Sequence, residues 1–176
     1  MDDSQPEVLF TGNFLRVVRR GRWEYVDRVG SHGAVIIVAT TDDDRVVFVD
    51  QYRVPLGARV IEFPAGLMGD HAEHQGEPPE NAARRELLEE TGYEAGSLTP
   101  LLTGPASSGL TTETFTMLRA RDLKKVAPGG GDSTEDITVH EVPRTEVEDW
   151  LEAKQREGVW ISPRIYSGLY FLSRED

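Results

Sequence analysis

The stretch that most narrows what this chain can fold into is 77–93, EPPENAARRELLEETGY. Prolines at its start and a glycine near its end punctuate a helix, since proline suits the first helical turn and glycine supplies the left-handed residue that ends one. Inside that helix Glu86 and Glu90 stand just over one turn apart and project from the same face. Glu89 lies one step round, close enough to join them. Three carboxylates on one patch repel each other unless something positive sits among them, and oxygen donors of this kind favour Mg²⁺ or Mn²⁺. Arg85, one turn before Glu89, is placed to pin that side chain.

The rest of the composition agrees with a metal-assisted site. The chain has 176 residues, room for one domain and a small extra element. Its formal charge is −12, which repels nucleic acid and anionic membrane at long range. A small anionic substrate meets the same repulsion unless cations and local arginines reverse the sign inside the site. There are no cysteines, so disulfides, thiolate catalysis and cysteine zinc sites are excluded. The opening MDDSQPE reads as neither a secretory nor a transit peptide, and no apolar run approaches a membrane span. A cytoplasmic location is therefore the default expectation.

Taken in order, 1–6 reads as a frayed tail. Segments 13–20 and 23–29 read as strands that Gly21-Arg22 can join in a hairpin. Trp23 is either a core or interface aromatic or a platform for a nucleobase. Gly33 to Thr40, GAVIIVAT, is a continuous apolar run, as expected of a strand covered on both faces. With 45–51 it would form the centre of a sheet. Arg53 is either a strand-end surface residue or a phosphate clamp, since the guanidinium fork matches phosphate oxygens. In the short strand 59–63, Glu62 lies between apolar neighbours and needs a partner, an ion pair or an amino group of a base. Segment 67–76 reads as a polar loop in which His71 and His74 are solvated rather than a metal pair. Strands are expected at 97–103, 114–120 and 137–142, with 122–126 as connecting chain. The small-residue loop 104–113 ends in Glu113, and 128–136 is an acidic, glycine-rich loop. Thr145 with Glu148 spells a capping box for a helix closed by Gly158. Ser162-Pro163 opens a last helix with Ile165, Leu169 and Leu172 on its apolar face. Strands, helix, strands and two helices suit an α/β/α sandwich around a mixed sheet, with an N-terminal hairpin outside it.

The charged positions of 77–93 resemble the Nudix box, a glycine, five residues, Glu, seven residues, then R-E-aliphatic-x-E-E-x-G-aliphatic. Glu77, Arg85, Glu86, Glu89, Glu90 and Gly92 stand in register, and Tyr93 replaces the final aliphatic residue. The glycine is Gly66, separated from Glu77 by ten residues rather than five, so the loop carries a five-residue insertion, which loops tolerate. An ordinary acidic surface helix would not reproduce this register. Beyond the box, WEYVDR, VVFVDQYRVPLGARVIEFPAGL, SSGLTTE, TEDITV and SPRIYSGLYFL are similar to the ADP-ribose and ADP-sugar pyrophosphatase branch of that family.

The resemblance implies a Nudix fold over 33–176, with 1–32 as a hairpin extension serving dimerisation and base stacking. It implies a homodimer and a metal-dependent enzyme that hydrolyses the diphosphate of ADP-ribose or a related nucleoside diphosphate sugar, giving a nucleoside monophosphate and a sugar phosphate. Glu86, Glu89 and Glu90 with the Ala65 carbonyl match the metal ligands, for Mg²⁺ with Mn²⁺ as an alternative, and Arg85 would orient the cluster. Arg28 and Arg53 match contacts to phosphates or terminal sugar, Trp23 an aromatic that stacks on adenine across a dimer interface, and Glu62 a base contact. The general base corresponds to Glu135 on a late loop, with Glu113 the second candidate. The longer box loop, and Ser108 where the branch has proline before Gly109, keep another substrate open, such as GDP-mannose or a dinucleoside polyphosphate. A non-catalytic sensor would show eroded box acids, and none is missing.

Overall fold

The computed structural model describes residues 4–69, 72–131 and 135–174. Its architecture follows from the apolar run at 33–40. Strand β4 (Gly33–Thr40) lies at the middle of a mixed sheet and is covered on both sides. Because side chains alternate across a strand, Val35, Ile37 and Ala39 enter one core cluster while Ile36 and Val38 enter another. A strand with two buried faces must be apolar, and this one is from Gly33 to Ala39.

Around β4 run β5 (Arg45–Arg53), β6 (Ala58–Glu62), β7 (Ala65–Met68), β8 (Tyr93–Pro105), β9 (Thr114–Lys125), β10 (Ile137–Pro143) and the short β11 (Trp160–Ile161). The order is β11-β6-β5-β4-β9-β8, with β10 paired to β5 and β7 paired to β4. The β4–β9 and β6–β11 pairs are parallel and the others antiparallel. Helix α1 (Pro79–Thr91) packs Ala82, Ala83 and Leu87 on the face that carries Val35 and Ile37. On the opposite face α2 (Val147–Arg156) contributes Val147 and Leu151, and α3 (Arg164–Leu172) contributes Ile165 and Leu172. Trp150 stacks on Phe48 beneath α2, ring centroids 5.4 Å apart. The expected α/β/α sandwich is therefore present.

Helix α1 begins with proline in its first turn and stops at Gly92, whose φ of 73° lets its N–H bond the Leu88 carbonyl. A Cβ at Gly92 would overlap the Ala127 carbonyl, so glycine is required there on two counts.

Several elements differ from the sequence expectation. The N-terminal hairpin forms between β2 (Leu15–Arg20) and β3 (Trp23–Arg28), and a further strand, β1 (Glu7–Thr11), pairs with β2 to make three. Segment 67–76 opens as strand, because Ala65–Met68 finds pairing partners on β4; His71 lies outside the described residues. The connector expected at 122–126 continues β9 to Lys125 opposite Tyr93, since β8 starts directly after α1. Thr145 does not cap α2. It sits within the 3-10 turn Arg144–Glu146, and the residue before the helix, Glu146, makes no side-chain cap bond.

Among the described residues no helix is long and apolar enough to cross a membrane. Leu87 is fully buried where α1 meets the sheet. Leu87→Ala is expected to cost about 2–5 kcal/mol in urea denaturation. A loss below about 1 kcal/mol would mean that α1 is not held by this contact.

Candidate functional site

Helix α1, strands β5 to β7 and the start of α3 enclose a cleft of about 480 Å³. Arg28, Arg53, Glu62, Ala65, Arg85, Glu86, Glu89, Glu113 and Glu135 all line it, so most of the residues singled out in the sequence come together. Trp23 does not. It is exposed on β3 and lines a separate shallow groove with Tyr25 and Leu110, with the Arg22 guanidinium 5.8 Å from its ring centroid.

Glu90 is the innermost acid, 2% exposed. It points from the buried side of α1 toward β7 and accepts a hydrogen bond from the Ala65 N–H at 3.0 Å. Burial pushes its carboxyl well above the usual range, and the neighbouring charges of Glu86 and Glu135 push the same way. The Ala65 N–H and Arg53 oppose the shift without cancelling it. Glu86 lies one turn earlier against the backbone of β7, where a Cβ at position 66 would overlap its carboxyl group. Gly66 is thus what lets β7 and α1 approach closely enough to share the acids.

Arg85 holds this arrangement, with the expected Glu89 and with two closer acids besides. It donates to Glu86 Oε1 at 2.7 Å, Glu77 Oε1 at 3.1 Å and the Leu67 carbonyl at 3.2 Å, and lies 3.7 Å from Glu89. Glu77 and Glu86 are largely buried side chains while Glu89 is half exposed. A guanidinium gains more from acids removed from water than from one still solvated. Glu77 is therefore tied to the cleft wall through Arg85.

The other wall carries paired charges. Arg53 donates to Glu62 at 2.6 Å and Arg28 to Glu113 at 2.5 Å, which supplies the partner that Glu62 needs between apolar neighbours. Each guanidinium has further N–H groups beyond its one bonded carboxylate. Glu135 stands across from α1 and accepts a bond from Gln51 Nε2 at 3.4 Å. His74, 3.6 Å from Glu73 and 3.9 Å from Glu77, does not line this cleft.

Two polar cleft residues escape the sequence reading. Ser162 is buried at the edge, and Arg164 reaches over the Phe115 ring at 5.3 Å. Arg164 had one legible signal, since a cation in the first turn of a helix opposes the helix dipole and so calls for another reason to be there.

Among the described residues no three His, Asp or Glu side chains are gathered as a ready-made cation cage. Glu86 is turned to Arg85 and Glu90 to the Ala65 N–H. The donors nevertheless fit a hard divalent cation. They are carboxylate oxygens on one helix face, and the pKa of Glu90 is raised first by burial and then by the charges of Glu86 and Glu135, which a cation among them would offset.

That imbalance has a consequence for stability. The folded chain holds the Glu90 proton more tightly than the unfolded chain, whose value is near 4.5. The contribution is present in full below that value and is lost as pH rises through the raised one. In EDTA, the urea stability of wild type relative to Glu90→Gln is expected to fall from pH 4.5 upward. A difference independent of pH would contradict the shift.

Comparison with known proteins identifies the family. A family model described as NUDIX domain matches residues 30–161. A methanol dehydrogenase activator of Bacillus methanolicus is 31% identical over 156 residues, 85% of this chain and 82% of its own. An ADP-ribose pyrophosphatase of Bacillus subtilis is 34% identical over 143 residues, 81% and 74% of the two chains. A GDP-mannose pyrophosphatase of Citrobacter koseri is 34% identical over 138 residues, 74% and 68%. Among solved structures, one described as an ADP compounds hydrolase shares the fold with a TM-score of 0.72 at 23% identity, covering 96% of this chain and 90% of that one. The helix of acids, the glycine that admits it to the sheet and the matched span together make this chain a member of the Nudix family.

Proposed function

We propose that this protein is a divalent-metal-dependent pyrophosphatase that hydrolyses the diphosphate of a nucleoside diphosphate sugar, ADP-ribose or a close relative. The products are a nucleoside monophosphate and a sugar phosphate. The observation that carries the reading is the buried Glu90 behind a cleft wall formed by Glu86 and Glu89 of α1, in a cleft whose other walls carry Arg28 and Arg53. Relatives named for ADP-ribose and GDP-mannose pyrophosphatase activity support the substrate class.

Glu86, Glu89, Glu90 and the Ala65 carbonyl would hold the cation, Mg²⁺ with Mn²⁺ as substitute, and Arg85 with Glu77 keeps the acids in place. When bound, the cation supplies charge neutralisation to the diphosphate and makes water easier to deprotonate. Arg53 and Arg28 bind phosphate oxygens or the terminal sugar through their remaining N–H groups, and Glu62 contacts the base. Glu135 takes a proton from the attacking water, with Glu113 as the second candidate. The water oxygen bonds to one phosphorus as the bridging P–O bond breaks, and the bridging oxygen leaves with the electron pair on the second phosphate.

Residues 1–32 serve as an extension to the catalytic domain, 33–176, in this reading. Phe10, Phe14 and Trp23 are exposed on it at 63%, 75% and 57%, which suits a homodimer in which Trp23 stacks on the base bound by the partner subunit. A cytoplasmic protein is the corresponding expectation.

The test is release of AMP from ADP-ribose, run beside GDP-mannose, ADP-glucose and dinucleoside polyphosphates with Mg²⁺. Glu90→Gln is expected to slow the preferred substrate by more than about a hundredfold. Equal rates in wild type and variant would contradict the assignment.

A further inference from the structure

Glu135 stands two residues ahead of β10, on a stretch without regular structure, yet its carboxyl is met from two sides. In the antiparallel pairing of β5 and β10, Gln51 lies opposite Ile137. The sheet register therefore brings the Gln51 side chain beside the residues just before Ile137. Its Nε2 donates to Glu135 Oε1 at 3.4 Å. Gln51 is 7% exposed, and its Oε1 is buried with no hydrogen-bond partner among the described residues. Burying a carboxamide costs free energy unless its groups are bonded. An unbranched apolar side chain would fill the same space at lower cost. The one bond this side chain makes among the described residues goes to Glu135.

Gly131 meets the same carboxyl from the other side. Its φ is +77°, and a Cβ there would overlap Glu135 Oε2 and press on Ile137. Its N–H donates to the Glu89 carbonyl at 3.1 Å, which ties this position to the last turn of α1. Beyond Glu135, Arg59 donates to Asp50 at 2.7 Å and to Asp136 at 2.8 Å, bracing the chain against β5.

We propose that Gln51 and Gly131 are positioning residues that aim the Glu135 carboxylate into the cleft, Gln51 by its donated hydrogen bond and Gly131 by leaving the space the carboxylate occupies. The inference rests on Glu135 as the proton acceptor. Loss of the bond weakens the hold on the carboxylate, so the reacting geometry is met less often. Arg28 and Arg53 still bind substrate, so the loss falls on kcat and spares KM.

The test is steady-state kinetics of the full chain with Mg²⁺ on ADP-ribose and on GDP-mannose, with thermal melts to establish that each variant is folded. Gln51→Met and Gly131→Ala are each expected to lower kcat about ten- to hundredfold, with KM within about twofold of wild type. Gly130→Ala carries a left-handed backbone cost without meeting Glu135, and its kcat is expected to stay within about twofold of wild type. Adding Gln51→Met to Glu135→Gln is expected to cause no further loss, because the bond it removes is already without purpose.

A full kcat in Gln51→Met beside a slow Glu135→Gln overturns the positioning role of Gln51 and leaves the base assignment standing. Gly130→Ala as slow as Gly131→Ala traces the loss to backbone strain and overturns the role of Gly131. A Glu135→Gln variant at wild-type kcat, or a wild type inert on every diphosphate in the panel, overturns the underlying reading and this inference with it.

Discussion

A carboxyl group held in a nearly dry interior, with one backbone N–H for company, is the constraint on which the rest of the structure turns. Glu90 sits on the side of α1 that faces the sheet because Ala82, Ala83 and Leu87 draw the helix down there. The packing that stabilises the helix also strips water from the acid. A buried carboxylate costs free energy unless it is paired, and the Ala65 N–H offsets only part of that cost. A fold selected for stability alone would place an apolar residue at this position. Its presence is the kind of local inconsistency that marks a functional site.

The remaining cleft charges are arranged to contain that imbalance. Arg85 bridges Glu77 and Glu86, Arg53 holds Glu62 and Arg28 holds Glu113. In a chain of net charge −12, these arginines provide local positive charge to meet an anionic substrate, and each pairing fixes a flexible side chain in advance. Pre-organised donors and charges cost no rearrangement when a substrate charge arrives. Gly66 makes the arrangement possible by admitting Glu86 against the β7 backbone.

Elements whose cause is local were legible in the sequence. The run at 33–40 had to be a strand covered on both faces, and Pro79 and Gly92 bounded α1 by backbone chemistry alone. The acids of α1 followed from helical spacing. What escaped was set by tertiary contact. Strand β7 exists because β4 offers an edge to Ala65–Met68, which look like loop in isolation. The capping box at Thr145 lost to a 3-10 turn. The i,i+4 rule found the Arg85–Glu89 pair, but not the closer contacts to the buried Glu86 and Glu77. Gln51 reads as an ordinary strand residue, and only the pairing of β5 with β10 brings it to Glu135. Trp23 stands on a sheet outside the cleft of its own chain, so a role in base stacking would depend on a second subunit.

The proposed cation site between α1 and β7 is what the function depends on. The most direct measurement is a crystal structure grown with Mn²⁺ and a non-hydrolysable ADP-ribose analogue, with anomalous density recorded at the manganese edge. The account expects a peak within coordination distance of Glu86 and Glu90, with Glu86 turned away from Arg85 toward the ion. Density absent from this face of α1, with Glu86 still on Arg85 and Glu90 still on the Ala65 N–H beside a bound analogue, would contradict it.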